Sequence, residues 1–271
     1  MPIAATTVVV LFILAACMAP WISPHDPNEQ NFLEAMSAPI GFGQWSWSLP
    51  LGSDNLGRDL LSRIMHGARV SLWIAIFVIV IAGAIGTFLG LMAGYFGGFV
   101  DALIMRLVDA FLAVPFILMA MGLVAAVGAS ISNLILVMAL TNWARYARLV
   151  RSESLSVKTK DFVLLAQVAG VPGYKIAFRH VLPNVANSVG VLATLDLGRV
   201  IILESSLSFL GLGIQPPYVS WGLMLADGRS YMDVAWWITV IPGATILITV
   251  LSLNVFGDWL RDRLDPEFRG T

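Results

Sequence analysis

Residues 70–94 read VSLWIAIFVIVIAGAIGTFLGLMAG, a stretch without a single charged side chain. The hydrocarbon core of a bilayer is about 30 Å thick and takes roughly 20 apolar residues in helical form, because a helix satisfies its own backbone where no water is available. The stretch is therefore read as a transmembrane helix. Ala82, Gly86, Gly90 and Gly94 recur in it every four residues, which puts small side chains along one face where another helix backbone can come close.

Working outward, five more runs of this kind follow the same logic: Ile3 to Ile22, Leu107 to Val127, Leu134 to Val150, Val185 to Leu210 and Val234 to Val255. Between Ala110 and Ala144 no residue is charged, too long a stretch for one span, and GASISN (Gly128 to Asn133) supplies the small polar residues of a turn that splits it. Pro115 and Pro242 lie inside spans and predict kinks, since proline frees a carbonyl and clashes with the preceding turn. The expected fold is all-α: a single polytopic membrane domain over residues 1–271 with six transmembrane helices.

Composition agrees. Of 271 residues 58% are hydrophobic and 12% charged, against about 25% charged in soluble globular chains, and mean hydropathy is +0.83. Sixteen basic and 17 acidic residues leave a formal charge of −1, which excludes an electrostatic nucleic-acid binder and a disordered acidic chain. Cys17 is the only cysteine and the three histidines lie far apart, so no disulfide framework or cysteine-based metal site is expected. His25, His66 and His180 fall in loops by this reading. No GxxxxGK[ST] loop, strand-following GxGxxG, HExxH or GxSxG occurs, and no catalytic, cofactor-binding or metal-ligating residue is assigned. LFILAAC, ending at Cys17, has the look of a lipoprotein cleavage site, but no Lys or Arg precedes Arg58 and cleavage is not expected. That lack of basic residues also weakens the anchoring of the first span in the inner leaflet, and is what a start site assigned too late would leave.

Lys and Arg in the loops orient the spans. With the carboxyl terminus inside, the inner segments carry Arg106, then Arg145, Arg148, Arg151, Lys158, Lys160, Lys175 and Arg179, then Arg261, Arg263 and Arg269; the outer ones carry Arg58, Arg63, Arg69 and Arg229. Both termini are expected on the inner side. Within the fifth run, Asp196, Arg199 and Glu204 are costly in lipid and face protein or water. A buried Asp196–Arg199 pair three residues apart, with Glu204 near the outer end, is one reading; a helix lining an aqueous path is the other.

The inner loop from Ala144 to Asn184, whose polar part (151–184) runs about 35 residues, exceeds a simple connection. DFVLLAQVAGVPGYKIAFRHVLPNV reads as a helix from Asp161 to Ala169, a break over Gly170 to Gly173, and an amphipathic helix from Tyr174 to Val181 stopped by Pro183. Val163, Leu164, Ala166, Gly170 and Ile176 beside basic residues suit insertion into a groove on a partner protein, or a helix pair lying on anionic lipid.

This stretch resembles the coupling loop of inner-membrane permease subunits in binding-protein-dependent ABC importers, whose signature is EAA, three residues, G, nine residues, then IxLP. Ala166, Gly170, Leu182 and Pro183 match at the correct intervals, while Leu164, Leu165 and His180 replace the glutamate, the first alanine and the isoleucine. Three further stretches are similar to the dipeptide, oligopeptide and nickel class of these permeases: LGSDNLGRDLLSRIMHGARVSL (Leu51 to Leu72), ESSLSFLGLGIQPPYVSWGLML (Glu204 to Leu225) and NVFGDWLRDRLDP (Asn254 to Pro266). In the first, Asp54 with Arg58 and Asp59 with Arg63 are spaced as i,i+4 ion pairs on a short exposed helix.

The resemblance implies a type I ABC importer permease in the bacterial inner membrane, paired with a second related permease over two ATPase subunits that bind ATP and Mg, and under an extracytoplasmic solute-binding protein. It implies ATPase coupling through Leu164, Ala166, Gly170, Val171, Tyr174, Leu182 and Pro183. Asp196, Arg199 and Glu204 are candidate pore-lining residues. Asp54, Arg58, Asp59, Arg63 and Trp221 are candidates to face the binding protein, within an extracytoplasmic segment (23–69) whose Trp45 and Trp47 also suit lipid headgroups. Short peptides are the expected solute, with nickel and glutathione as alternatives. Two other classes compete: an ion-coupled secondary transporter acting alone, against which stand a single charged span and no visible repeat, and a membrane scaffold without transport.

Overall fold

The computed structural model describes residues 2–43 and 45–264. Helices make the fold: α1 (Ile3–Ile22), α2 (Leu60–Phe96), α3 (Gly98–Ala113), α4 (Phe116–Val127), α5 (Ile131–Lys158), α6 (Asp161–Val168), α7 (Gly173–Ile176), α8 (Leu182–Phe209), α9 (Trp221–Gly228) and α10 (Trp237–Leu264). Among the described residues no strand forms, and two isolated bridges, Ala38–Trp45 and Ser53–Asp59, pin loops. Four helices are long and apolar enough to cross a membrane, and the bent pair α3–α4 makes up to five. All six runs read from the sequence are helical. The one outside this set, α5, has 28 residues and is about 42 Å long, but Arg145, Arg148 and Arg151 make its second half too polar to qualify by composition.

Proline explains two departures from the sequence reading. The run Leu107 to Val127 is not one kinked span: α3 and α4 meet at 93°. Pro115 pushes the preceding residue out of the helical region, and Val114 is extended at φ −89°, ψ 130°. Conversely, Pro183 does not stop the helix before it. The backbone widens into a π turn over Ala177–Val181 and continues into α8, so that Gly173–Phe209 forms one 37-residue helix. A π turn changes the carbonyl-to-amide register at the point where proline lacks an amide. Two of the histidines expected outside the spans are helical: His66, because α2 begins at Leu60, and His180, in the π turn.

The chain divides into two units. In the first (Met1–Ile76, Val124–Leu134, Leu197–Trp259), Phe12 packs on Trp221 at 5.4 Å between ring centroids, and the Trp221 indole N–H donates to the Ile64 carbonyl at 2.9 Å. The segment 23–59 is stitched down by Asn28 donating to the Pro217 carbonyl (3.0 Å) and Trp237 donating to the Ser53 carbonyl (3.1 Å). The GASISN turn forms as expected: Asn133 donates to the carbonyls of Val127 and Gly128, closing the end of α4.

In the second unit (Phe77–Leu123, Ile135–Asp196, Leu260–Thr271) the small-residue stripe does what its spacing predicts. A Cβ on Gly86 would strike Trp143 and Tyr146, one on Gly90 would strike Ala147 and Val150, and one on Gly94 would strike Arg151 and Ser154. The backbones of α2 and α5 are therefore in direct contact along this seam. Ala82, Trp143, Tyr146 and Ala147 are buried with Ile104 and Val108 of α3. Lys158 at the end of α5 donates to the Tyr95 carbonyl at 2.6 Å and lies 5.5 Å from its ring centroid, a cation at the C-terminus of α2.

Candidate functional site

The segment after α5 builds an apolar platform on a firm base. Asp161 in the first turn of α6 suits the positive end of a helix. Of the large apolar residues in α6, Val163 alone is fully buried; it joins Leu91, Tyr95, Val150, Val157, Ile176, Ala177, Val181 and Val185 in one cluster, with Ala166, Val171 and Leu182 packed against it. The helix ends in a Schellman turn: the Gly170 N–H donates to the Gln167 carbonyl (3.0 Å) and the Val171 N–H to the Ala166 carbonyl (3.1 Å). Gly170 sits at φ +73° with open space where a Cβ would be, so the turn calls for glycine for its backbone and not for its packing. Pro172 then caps α7.

What α6 turns outward is unusual for a helix end in water. Phe162, Leu164, Leu165 and Val168 are exposed, Val168 at 87%, with Tyr174 exposed beside them. The seven coupling candidates thus divide: Leu164, Gly170, Tyr174 and Pro183 are at the surface, while Ala166, Val171 and Leu182 are half-buried against the core. Sequence reasoning missed Phe162, Leu165 and Val168. The signal was present, since α6 carries more large apolar residues than one buried face of an eight-residue helix can absorb.

The charged residues around the start of α2 are buried, and only one of the two expected pairs forms. The Arg58 Nε bonds Asp54 at 2.6 Å, as the spacing predicts. Arg63 turns instead to Asp54 (3.6 Å) and Asp227 (3.5 Å), and Arg58 also reaches Asp227 at 3.2 Å. Asp59 is the N-cap of α2, accepting from the Leu61 and Ser62 amides and from the Ser62 hydroxyl (2.6 Å). Asp54, Arg58, Asp59, Arg63 and Trp221 are all buried. The exposed large side chains of the same unit are instead Phe32, Leu33, Trp45, Trp47 and Tyr218.

Of the three charges in α8, Asp196 is buried and held by Arg145 of α5 at 2.6 Å, a partner that helical spacing could not reveal. Arg199 is half-buried. Glu204 is buried, accepting from Ser208 (2.6 Å) and Ser71 (3.4 Å). Among the described residues no group of His, Cys, Asp or Glu is placed to hold a metal ion. Asp265 and Pro266 of the last motif, and Arg269, lie outside the described residues.

Residues 86–270, more than half of the chain, match the family described as binding-protein-dependent transport system inner membrane component. Residues 1–39 match the N-terminal transmembrane domain of oligopeptide transport permease C. The di/tripeptide transport system permease protein of Pseudomonas aeruginosa is 42% identical over 96% of this chain and 86% of its own length. The probable D,D-dipeptide transport system permease protein of Escherichia coli K12 is 38% identical over 99% and 88%. The glutathione transport system permease protein of Pectobacterium atrosepticum is 40% identical over 98% and 87%.

Proposed function

The chain belongs to the family of binding-protein-dependent transport system inner membrane components, and we propose from that premise that α6, with the Schellman turn at Gly170, is the surface on which a separate ATPase subunit acts. The chain is the permease subunit of an ATP-driven importer, a multi-pass inner-membrane protein and a transport component rather than an enzyme. In the proposed arrangement α6 and both termini face the cytoplasm, with the basic residues that flank α6, and the segment 23–59 faces outward toward a solute-binding protein. A second, related permease completes the pathway, and two ATPase subunits carry ATP and Mg. Short peptides are the proposed cargo, a reading supported by the names of the relatives, with selection resting mainly in the binding protein. Asp196 and Glu204 position helices, and Arg199 is the charged residue of α8 proposed for the pathway wall.

One observation carries the coupling role: four large apolar side chains of α6 face outward while the opposite face is fixed to the core through Val163. An apolar patch of this kind is read as a docking site, and burying each such side chain contributes about 1.5–3 kcal/mol. The test is the paired substitution Leu165→Asp and Val168→Asp in the assembled transporter. Both residues are exposed, so membrane insertion and thermal stability are expected unchanged, while copurification of the ATPase and ATP-dependent uptake into vesicles fall at least tenfold. Uptake at the native rate with both aspartates in place would overturn the assignment.

A further inference from the structure

In the second unit an apolar groove of about 440 Å³ runs along α2, lined by Ile79, Val80, Gly83, Ala84, Thr87 and Phe88, with Phe178, Leu182, Val189 and Ala193 opposite. It differs from an ordinary lipid-facing surface at one end. There Phe88 and Phe178 approach to 6.4 Å between ring centroids, and within a turn of Phe178 the helix carries two exposed cations, Lys175 and Arg179. From Phe162 to Leu195 the chain holds these cations and His180 but no Asp or Glu, so nothing in that stretch neutralises them.

Near the same end the Thr87 hydroxyl is buried and has no hydrogen-bond partner. A helical threonine ordinarily satisfies its hydroxyl on the carbonyl one turn back, as Thr141 and Thr245 do here. From Thr87 to Ile79 the groove follows eight residues of α2, about 12 Å, close to the depth of one leaflet of a core about 30 Å thick. Along its length it therefore runs from a lone hydroxyl to apolar walls, with Lys175 and Arg179 exposed on the helix that carries Phe178 at the hydroxyl end. A phospholipid has the complementary order of phosphate, ester carbonyl and acyl chain.

We propose that this groove is a binding site for one anionic phospholipid, with the phosphate against Lys175 and Arg179, an ester carbonyl accepting from Thr87, and an acyl chain along Gly83 and Ala84. The proposed orientation enters only in naming the leaflet, the cytoplasmic one, where anionic lipid attracts basic residues near the surface. The site is independent of ATPase docking on α6, so either reading can fail alone.

The test is native mass spectrometry of the transporter released from vesicles of equal phosphatidylglycerol and phosphatidylcholine. The wild type is expected to retain phosphatidylglycerol at least tenfold over phosphatidylcholine. Lys175→Gln with Arg179→Gln removes that preference, Thr87→Val lowers retention severalfold, and Ala84→Phe, which fills the groove from an exposed position, removes retention of both lipids. Equal retention of the two lipids by the wild type, or unchanged retention in the Gln pair and in Ala84→Phe, overturns the proposal. So does a crosslink from Ala84→Cys showing a helix of the second permease seated in the groove.

Discussion

Gly90→Ala puts the seam between α2 and α5 under direct test. The added Cβ would lie 2.5 Å from the Ala147 carbonyl oxygen, 2.9 Å from the Val150 Cβ and 3.0 Å from the Ala147 Cα. Favourable separations are about 3.5–4.0 Å, so α5 must retreat by about 1 Å at a point where two of the three neighbours are backbone and cannot swing away. Overpacking of this kind costs about 1–3 kcal/mol. It is opposed by the intrinsic gain of alanine over glycine inside a helix, about 1 kcal/mol. Gly190 in α8 and Gly122 in α4 have nothing within 4 Å of the same added atom, so Gly190→Ala and Gly122→Ala carry the gain without the clash. The difference between Gly90→Ala and these controls isolates the clash at about 1–3 kcal/mol, roughly a 5- to 30-fold change in the folded/unfolded ratio over the lower half of that range. Denaturant unfolding of the purified permease in one detergent, followed by tryptophan fluorescence, measures it. If Gly90→Ala unfolds at the same midpoint as Gly190→Ala, the helices are not in backbone contact and the small-residue argument fails.

Other outcomes follow from the same geometry. Gly170→Ala is expected to cost about 1–2 kcal/mol by forcing an L side chain into the left-handed region, and Gly170→Asn less, since asparagine tolerates it; uptake should follow the same order, and Gly170→Asp should abolish uptake with insertion intact. Arg63→Met leaves Asp54 and Asp227 short of a buried cation and is expected to destabilise by about 3–5 kcal/mol. Asp101→Asn, which breaks a partly exposed pair with Arg151, should cost under about 1 kcal/mol. Unfolding midpoints of the last two variants, measured side by side, check that contrast.

What could be read from the sequence follows what each signal physically encodes. Hydropathy reports only whether a segment prefers lipid, and the apolar runs accordingly appear as helices, with the GASISN turn between two of them. Four-residue spacing of small side chains encodes a face, and the stripe from Ala82 to Gly94 met a backbone as that spacing required. Proline was ambiguous because its effect depends on what neighbouring turns can do: Pro115 breaks the chain by 93°, Pro242 is absorbed inside α10, and Pro183 is accommodated by a π turn. Charge partners were least legible. Helical spacing predicts neighbours on one helix only, so it found Asp54–Arg58, but Arg63 to Asp227 and Arg145 to Asp196 join residues 164 and 51 positions apart. Burial failed for the same reason: a charge-rich motif reads as surface until the opposite charges that cover it are known.

For an apolar helix that a partner grips to do work, the force has to leave α6 without being lost in side-chain rearrangement. A flexible tether would dissipate it; the structure offers a stiff one. Val163 anchors α6 in a cluster shared with Leu91 and Tyr95 of α2 and Val150 and Val157 of α5. Gly90 lies beside Leu91 in sequence and Gly94 beside Tyr95, so the residues that hold α6 alternate along α2 with those at which α2 meets the α5 backbone. Backbone contacts have no rotamers to change and interiors packed at crystal density transmit strain. Displacing α6 must therefore move α2 and α5 together, which converts a local push into movement of two long helices. On the proposed coupling role the glycine seam and the apolar platform are parts of one device: the platform would receive the motion, and the seam would keep it from being absorbed where the two helices meet.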